Sequence, residues 1–317
     1  MTGLSVSEIG FGAWGIGGTE GEAVAYGKTD DHESRLALQA AFDAGVTFYD
    51  TSDFYGYGHS ENLIGEIFQE VRHHVTIATK VGFVNGGEQD FSPSHIRSSL
   101  EKSLKRLKTD YVDLYQLHSP SIDFLQNNTE TIETMHALVK EGKVRTIGIS
   151  VRSPDEGYVA AKDLGFKAVQ VNFNLVDQRA LMNGFFDFCN TNGVGVIART
   201  PLCFGFLTGR YSSQTLFDDK DHRSKWPLEQ VRKWEDAYSL FISDIAKTQK
   251  QTGSQIALRF CLSYSTVSSA IPGMLVREHV RENTLASQYG SLTLAELEKI
   301  TDLYSRNSFF VRKSESV

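Results

Sequence analysis

Proline is scarce in this 317-residue chain, at six residues, and no run of glycine, serine or proline divides it. The sequence therefore offers no linker between independent units and reads as one domain over 1–317. Cysteine is equally sparse: Cys189, Cys203 and Cys261 are odd in number, far apart and in no metal-ligand spacing. That usage predicts reduced thiols in a cytoplasmic compartment and no metal site. Basic residues form no block, and 32 Lys and Arg against 39 Asp and Glu leave a net charge of −7, so nucleic acid is excluded as a partner. Nowhere do about 18 apolar residues run together, and MTGLSVSEIGFGAWG has no basic stretch ahead of an apolar core. The expectation is a chain that neither spans a membrane nor is secreted. Also missing is a G-x-G-x-x-G turn after an early strand, since Gly15, Gly17 and Gly18 have the wrong spacing. Its absence counts against an open doubly wound sheet.

What is present is a recurring alternation of short apolar, β-branched runs with helical segments. The runs are Ile9 to Ala13, Val46 to Asp50, Val75 to Lys80, Val112 to Leu117, Val144 to Ile149, Ala168 to Asn172, Val194 to Ala198 and Val267 to Ile271. Their ends are mostly separated by about 20 to 40 positions, the cadence of one strand, one helix and two loops. Eight such units close into an α/β barrel of the (β/α)8, or TIM, type. The helices are marked by Asp30 with Glu33 as a capping box, by Ser92 with Pro93 ahead of Ile96, Leu100, Leu104 and Leu107, and by Asn128 as a cap closed by Gly142. The interval between Arg199 and Ile271 is too long for one such unit. Its polar stretch from Ser212 to Trp234 reads as a loop and helix inserted after the seventh strand, over the barrel mouth.

Four side chains emerge where these runs end: Asp50 and Tyr55 in TFYDTSDFYG, Lys80 in TIATKVG and His118 in DLYQLHSP. Singly, each has a bland reading as packing, solvated charge or structural imidazole. Jointly, at successive strand ends of a parallel barrel, they gather at the C-terminal face, where residues of different strands meet. A phenol is a poor acid at neutral pH unless a cation stabilises its phenolate, and Lys80 can be that cation. Asp50 can hold the lysine charged, and His118 can donate a hydrogen bond to a carbonyl oxygen as charge builds there.

The motifs IGFGAWGIGG, GVTFYDTSDFYGYGHSENLIGE, IATKVG, DYVDLYQLHSP, GKVRTIGIS, VQVNFNLVDQR, VIARTPLCFGFLTGRY and AIPGMLVREHVREN extend the pattern from Gly3 to Asn283. As a series they resemble the aldo-keto reductase superfamily. The resemblance implies a (β/α)8 barrel that binds NADP(H), with NAD(H) also possible, and reduces a small-molecule aldehyde or ketone. It implies Tyr55 as general acid, Lys80 as the cation that acidifies it, Asp50 as the partner of Lys80, and His118 as the group that orients the carbonyl. For the cofactor it implies contacts from Gly12, Trp14 and Asp50, with Ser150 and Gln170 on the nicotinamide carboxamide and Arg199 beside the ring. Pro201, Leu202, Gly205, Leu207 and Gly209 would cradle the pyrophosphate, and Gly273, Arg277, His279 and Asn283 would hold the adenosine end.

Three positions depart from the family pattern. Val151 stands where an asparagine often follows the serine, Arg199 stands where an aromatic often stacks on the nicotinamide, and the hairpin that commonly plugs the barrel bottom is almost absent ahead of Ile9. A guanidinium beside the ring disfavours its positively charged oxidised form, so the sequence predicts a bias toward reduced cofactor. Trp14, Phe54, Tyr55, Phe83 and His118 should line the substrate mouth with help from the segment around Trp226. Such lining suits a carbonyl on an apolar or sugar-like body. Two other readings use the same residues: a cofactor-binding sensor or regulatory subunit with little turnover, and a lyase or aldolase forming a Schiff base on Lys80.

Overall fold

The computed structural model describes residues 2–19, 23–84 and 87–311. Eight strands form one sheet in sequence order: β1 (Phe11–Gly12), β2 (Phe48–Asp50), β3 (Thr76–Val81), β4 (Val112–His118), β5 (Val144–Ser150), β6 (Ala168–Asn172), β7 (Gly195–Arg199) and β8 (Val267–Ile271). Every adjacent pair is parallel. Parallel bridges from Ile9 to Ala270 and from Gly12 to Gly273 bring β8 back to the start, so the sheet closes into a (β/α)8 barrel. The strands coincide with the runs read from sequence, with β1 trimmed to two residues, β2 to three, and β3, β4, β5 and β7 ending one residue later than expected.

Two-residue alternation explains what fills the barrel. Phe48, Ala78, Leu114, Ala168, Ile197 and Ile271 form an apolar cluster inside it, and Leu4 and Val6 pack against that cluster. Two residues further along the strands, the inward positions become Asp50, Lys80, Gln116, Gln170 and Arg199. One layer of the barrel is therefore oil and the next is a polar site. Outward residues such as Tyr49, Ile77, Tyr115 and Val169 join the larger core under the helices.

Local signals set the helices. Ser92 accepts from His95 N and caps the helix Pro93–Leu107, whose Ile96, Leu100, Leu104 and Leu107 are buried at helical spacing. At the first helix, Asp31–Asp43, the cap differs from the expected box: Asp30 Oδ1 accepts from His32 N at 2.8 Å, and Glu33 does not reach back. Asn128 begins the helix Thr129–Lys140 without capping it, because its carboxamide donates to Phe124 O of the preceding turn.

After β7 the chain makes a tight turn at Cys203–Thr208, a second at His222–Lys225, and two helices, Leu228–Phe241 and Ser243–Gln249, before the helix Gly253–Leu262 that leads into β8. This insertion reaches across the mouth: Asp221 bridges to Ala25 and Tyr26, and His222 N donates to Ala25 O at 3.0 Å. Trp226 does not enter the mouth. It packs on Phe204 and Trp234, anchoring the insertion to the turn after β7.

Candidate active site

A cleft of about 410 Å³ opens at the C-terminal ends of the strands, within the usual size of small-molecule sites. Lys80, fully buried at its floor, donates to Asp50 Oδ1 at 2.5 Å, to Thr51 O at 2.9 Å and to Tyr55 Oη at 3.0 Å. All three ammonium hydrogens are thus engaged, which leaves no lone pair for Schiff-base chemistry. Burial alone would push the lysine down. The Asp50 carboxylate and the Tyr55 oxygen outweigh it and hold the ammonium above its ordinary value.

Asp50 is itself clamped. Its second oxygen accepts from Gln116 Nε2 at 3.0 Å and from Gln170 Nε2 at 2.7 Å, so both carboxylate oxygens are satisfied in the barrel interior. Gln116 is a site residue that the sequence reading leaves out, although a signal for it exists. It precedes His118 by two and so shares its inward face, and it pairs in register with Lys80.

Tyr55 is aimed by its turn. Residues Tyr55–Gly58 form a tight turn in which Gly56, Tyr57 and Gly58 have positive φ, and a Cβ on Gly56 would lie 2.1 Å from Gly17 O. Only glycine allows that approach, which locks the phenol against the loop after β1. His118 sits across from it, with ring centroids 5.9 Å apart, and Phe83 packs edge-on against the imidazole at 4.7 Å. Desolvation, with repulsion from Lys80 and Arg199, holds His118 well below its ordinary value, so the ring is neutral at physiological pH. Its Nδ1 lies 3.2 Å from Ser52 Oγ.

The cleft also brings together Gly12, Trp14, Phe54, Phe83, Gln170, Arg199, Pro201, Leu202, Gly205, Gly273, His279 and Asn283 with Asp50, Tyr55 and His118. Lys80 lies beneath its wall, and four residues expected to hold the cofactor are not on it. Ser150 pairs in register with His118 and Gln170 but is buried. Leu207 turns into the core, and Gly209 faces Tyr238, whose ring lies 2.7 Å from where a Cβ would stand. Arg277 is exposed at the first turn of the helix Arg277–Gln288. His279, Glu282 and Asn283 share the face toward the cleft, and a residue two positions before His279 is rotated about 200° away. The arginine that does reach that end is Arg210, ion-paired with Glu282 at 2.6 Å. Tyr26, Tyr211 and Arg223 are further lining residues absent from the sequence reading, because only the path of the insertion brings them together.

Two of the departures from the family pattern touch each other. Arg199 Nη2 donates to Val151 O at 3.1 Å, while its Nε is buried without a partner among the described residues. Beyond it, Thr200, Cys203, Phe204 and Gly205 all have positive φ, in a tight turn where Cys203 N donates to Thr200 O and Gly205 N to Leu202 O, both at 2.9 Å. Arg199 and Arg210, both on the wall of this one cleft, fit a phosphate-bearing dinucleotide.

With that geometry in view, the sequence matches the family model described as "Aldo/keto reductase family" over residues 8–305. The chain belongs to this family. It is 32% identical to the aldo-keto reductase YhdN of Bacillus subtilis over 280 residues, covering 86% of this chain and 82% of that one. Among solved structures it is similar to the glycerol dehydrogenase of Gluconobacter oxydans, with a TM-score of 0.79, 27% identity and 98% and 95% of the two chains covered. It is similar as well to an aldo/keto reductase of Klebsiella pneumoniae in complex with NADP and acetate, with a TM-score of 0.70, 25% identity and 94% and 92% covered. This aldo/keto reductase shares with these relatives an oxidoreductase scaffold whose barrel mouth is the cleft described above.

Proposed function

We propose that the protein reduces an aldehyde or ketone to an alcohol with NADP(H), Tyr55 giving the proton. The observation that carries this reading is the position of the Lys80 ammonium, within hydrogen-bond distance of Asp50 and Tyr55 at once, under a neutral His118. A reduced nicotinamide bound in the cleft supplies the hydride.

The protein's own part is proton handling and charge. As a carbonyl oxygen gains negative charge, the Tyr55 hydroxyl transfers its proton to it, and the ammonium 3.0 Å away stabilises the phenolate left behind. Asp50 keeps the ammonium charged and fixed. Neutral His118 orients the carbonyl without competing as a cationic proton donor. Trp14, Phe54 and Phe83 give the substrate an aromatic surface and keep water from the reacting atoms. Gln170, Arg199, the turn from Pro201 to Gly205, Arg210 and the face carrying His279 and Asn283 form the binding wall for the nucleotide. The three buried thiols and the family scaffold suit a cytoplasmic enzyme.

The test is a titration with NADPH and NADH followed by a panel of simple aldehydes, pyridoxal and nucleotide sugars. Saturable binding and loss of the reduced-nicotinamide absorbance with at least one carbonyl are expected. Tight nucleotide binding with no turnover on any carbonyl would favour a sensor or regulatory subunit instead.

Arg199 makes a separate prediction. Its charge should raise the dissociation constant of oxidised relative to reduced cofactor, so Arg199→Tyr should shift that ratio about tenfold toward the oxidised form, equivalent to ~1.4 kcal/mol. Fluorescence titration of both forms measures it, and an unchanged ratio removes the role.

A further inference from the structure

Ser52 sits at the junction of three hydrogen bonds. Its Oγ accepts from Phe54 N at 3.1 Å, lies 3.2 Å from Asp53 Oδ1 and lies 3.2 Å from His118 Nδ1. A serine hydroxyl has one hydrogen and two lone pairs. With Phe54 N on one lone pair, the hydrogen can go to Asp53 or to His118, and whichever does not receive it must donate to the other lone pair. A carboxylate cannot donate. An ionised Asp53 therefore takes the Ser52 hydrogen and obliges His118 to carry its own proton on Nδ1, leaving Nε2 bare. A protonated Asp53 can donate to Ser52, which then donates to Nδ1 and leaves the imidazole proton on Nε2.

We infer that Asp53 is a positioning residue that selects, through Ser52, which nitrogen of His118 carries the proton toward the cleft. Nδ1 is the ring atom held by Ser52, and Nε2 has no partner among the described residues, so the tautomer decides whether the cleft meets a donor or an acceptor. The inference rests on the carbonyl-reductase reading for its consequence: Nε2–H can hold a carbonyl oxygen, whereas bare Nε2 can hold an alcohol hydroxyl. The same relay then favours reduction when Asp53 is neutral and alcohol oxidation when it is ionised. The interconversion is proton-balanced. Asp53 passes its proton to Ser52 as Ser52 passes its own to Nδ1, and Nε2 releases one to cleft water, a net loss of one.

The surroundings put the change at a usable pH. Burial and the Glu61 carboxylate push the Asp53 carboxyl up to about 7, against the Ser52 contact, Arg106 and Phe54 N. Glu61 itself is buried, bonded to Thr79 Oγ1 and to Arg106 Nε, and the remaining titratable neighbour is the buried Tyr115 phenol. On the other side, His118 faces Lys80, Arg199 and Tyr55; burial and the two cations keep it neutral through this range. Asp53 is thus the group around this relay whose charge changes near neutrality.

The test is 15N NMR of histidine-labelled full-length protein, with His118 assigned by its loss in His118→Asn. The Nδ1 and Nε2 shifts should show Nε2–H at about pH 5.5 and Nδ1–H at about pH 8.5. Asp53→Asn, which keeps shape and removes the titration, should hold one tautomer across the range, and Asp53→Glu should restore the switch. An unchanged tautomer in the wild-type protein, or a switch that survives Asp53→Asn, overturns the inference. Neither readout needs turnover, so a protein that reduces no carbonyl could still pass. In an active preparation, kcat/KM for reduction should fall about tenfold per pH unit above about pH 7 in the wild type and stay level in Asp53→Asn.

Discussion

Replacing Tyr55 by phenylalanine is expected to lower kcat for carbonyl reduction by about 10²- to 10⁴-fold, the usual worth of a positioned general acid, while leaving cofactor affinity within about twofold. The variant deletes one oxygen and little else. Its turn stays locked by the Gly17 and Gly56 contact, the ring keeps its place opposite His118, and the Lys80 ammonium remains over the ring at 4.6 Å from the centroid. Lys80 loses one of three acceptors but keeps Asp50 and Thr51 O, so the stability cost should be about 1 kcal/mol. The expected signature is a collapse in kcat with a melting temperature only a few degrees lower. Steady-state rates, single-turnover rates and a thermal melt of the same preparation measure it. Retention of more than about a tenth of the activity would show that another group gives the proton and would remove the central role assigned to Tyr55.

The second large effect belongs to Lys80→Met, which should abolish turnover and cost about 3–5 kcal/mol in folding stability. The pair it breaks is enclosed, with the Lys80 side chain fully buried and Asp50 2% exposed. Removing the cation leaves a carboxylate in the barrel interior with only the Gln116 and Gln170 amides to solvate it. Two neutral donors do not replace an ammonium at 2.5 Å. The companion double variant Asp50→Asn with Lys80→Met separates the two consequences. It removes both charges together, so most of the lost stability should return, and because the phenolate still has no cation, activity should not. Denaturant unfolding of the wild type, the single and the double variant, run beside activity assays, measures both. Equal stability of single and double variants would show that the Asp50 charge is solvated by another route. Recovered activity in the double variant would show that the ammonium is not needed for the chemistry.

Both experiments probe a region that is largely legible in the sequence. Asp50, Lys80 and His118 each end an apolar run, and a parallel barrel leaves such residues nowhere to go but the mouth. The two-residue alternation that places Phe48, Ala78 and Leu114 in the apolar layer also turns Asp50, Lys80 and Gln116 inward. Gln116 escapes notice in the sequence because a glutamine inside a strand has no chemistry of its own until its partner is known. The helix caps are legible as positions and less so as partners. Asp30 and Asn128 start helices as expected, yet one bonds His32 N and the other bonds backward to Phe124 O, since short polar side chains have several backbone groups within reach.

Strand periodicity and the order of chemical groups are local properties, and they suffice to specify an eight-unit barrel with a proton-transfer set at its mouth. Position across the mouth is not local, and it emerges only once the chain is folded. Arg277 and Arg210 look alike on paper, but the pitch of a helix turns the first to solvent while the path of the insertion carries the second into the cleft beside Glu282. Trp226 goes to the packing of the insertion for the same reason. The junction at Ser52 belongs to this class too: Ser52 and Asp53 are adjacent in the chain, whereas His118 arrives from another strand. A hydroxyl with one hydrogen to give acquires a choice only when the barrel closes and sets both claimants 3.2 Å away.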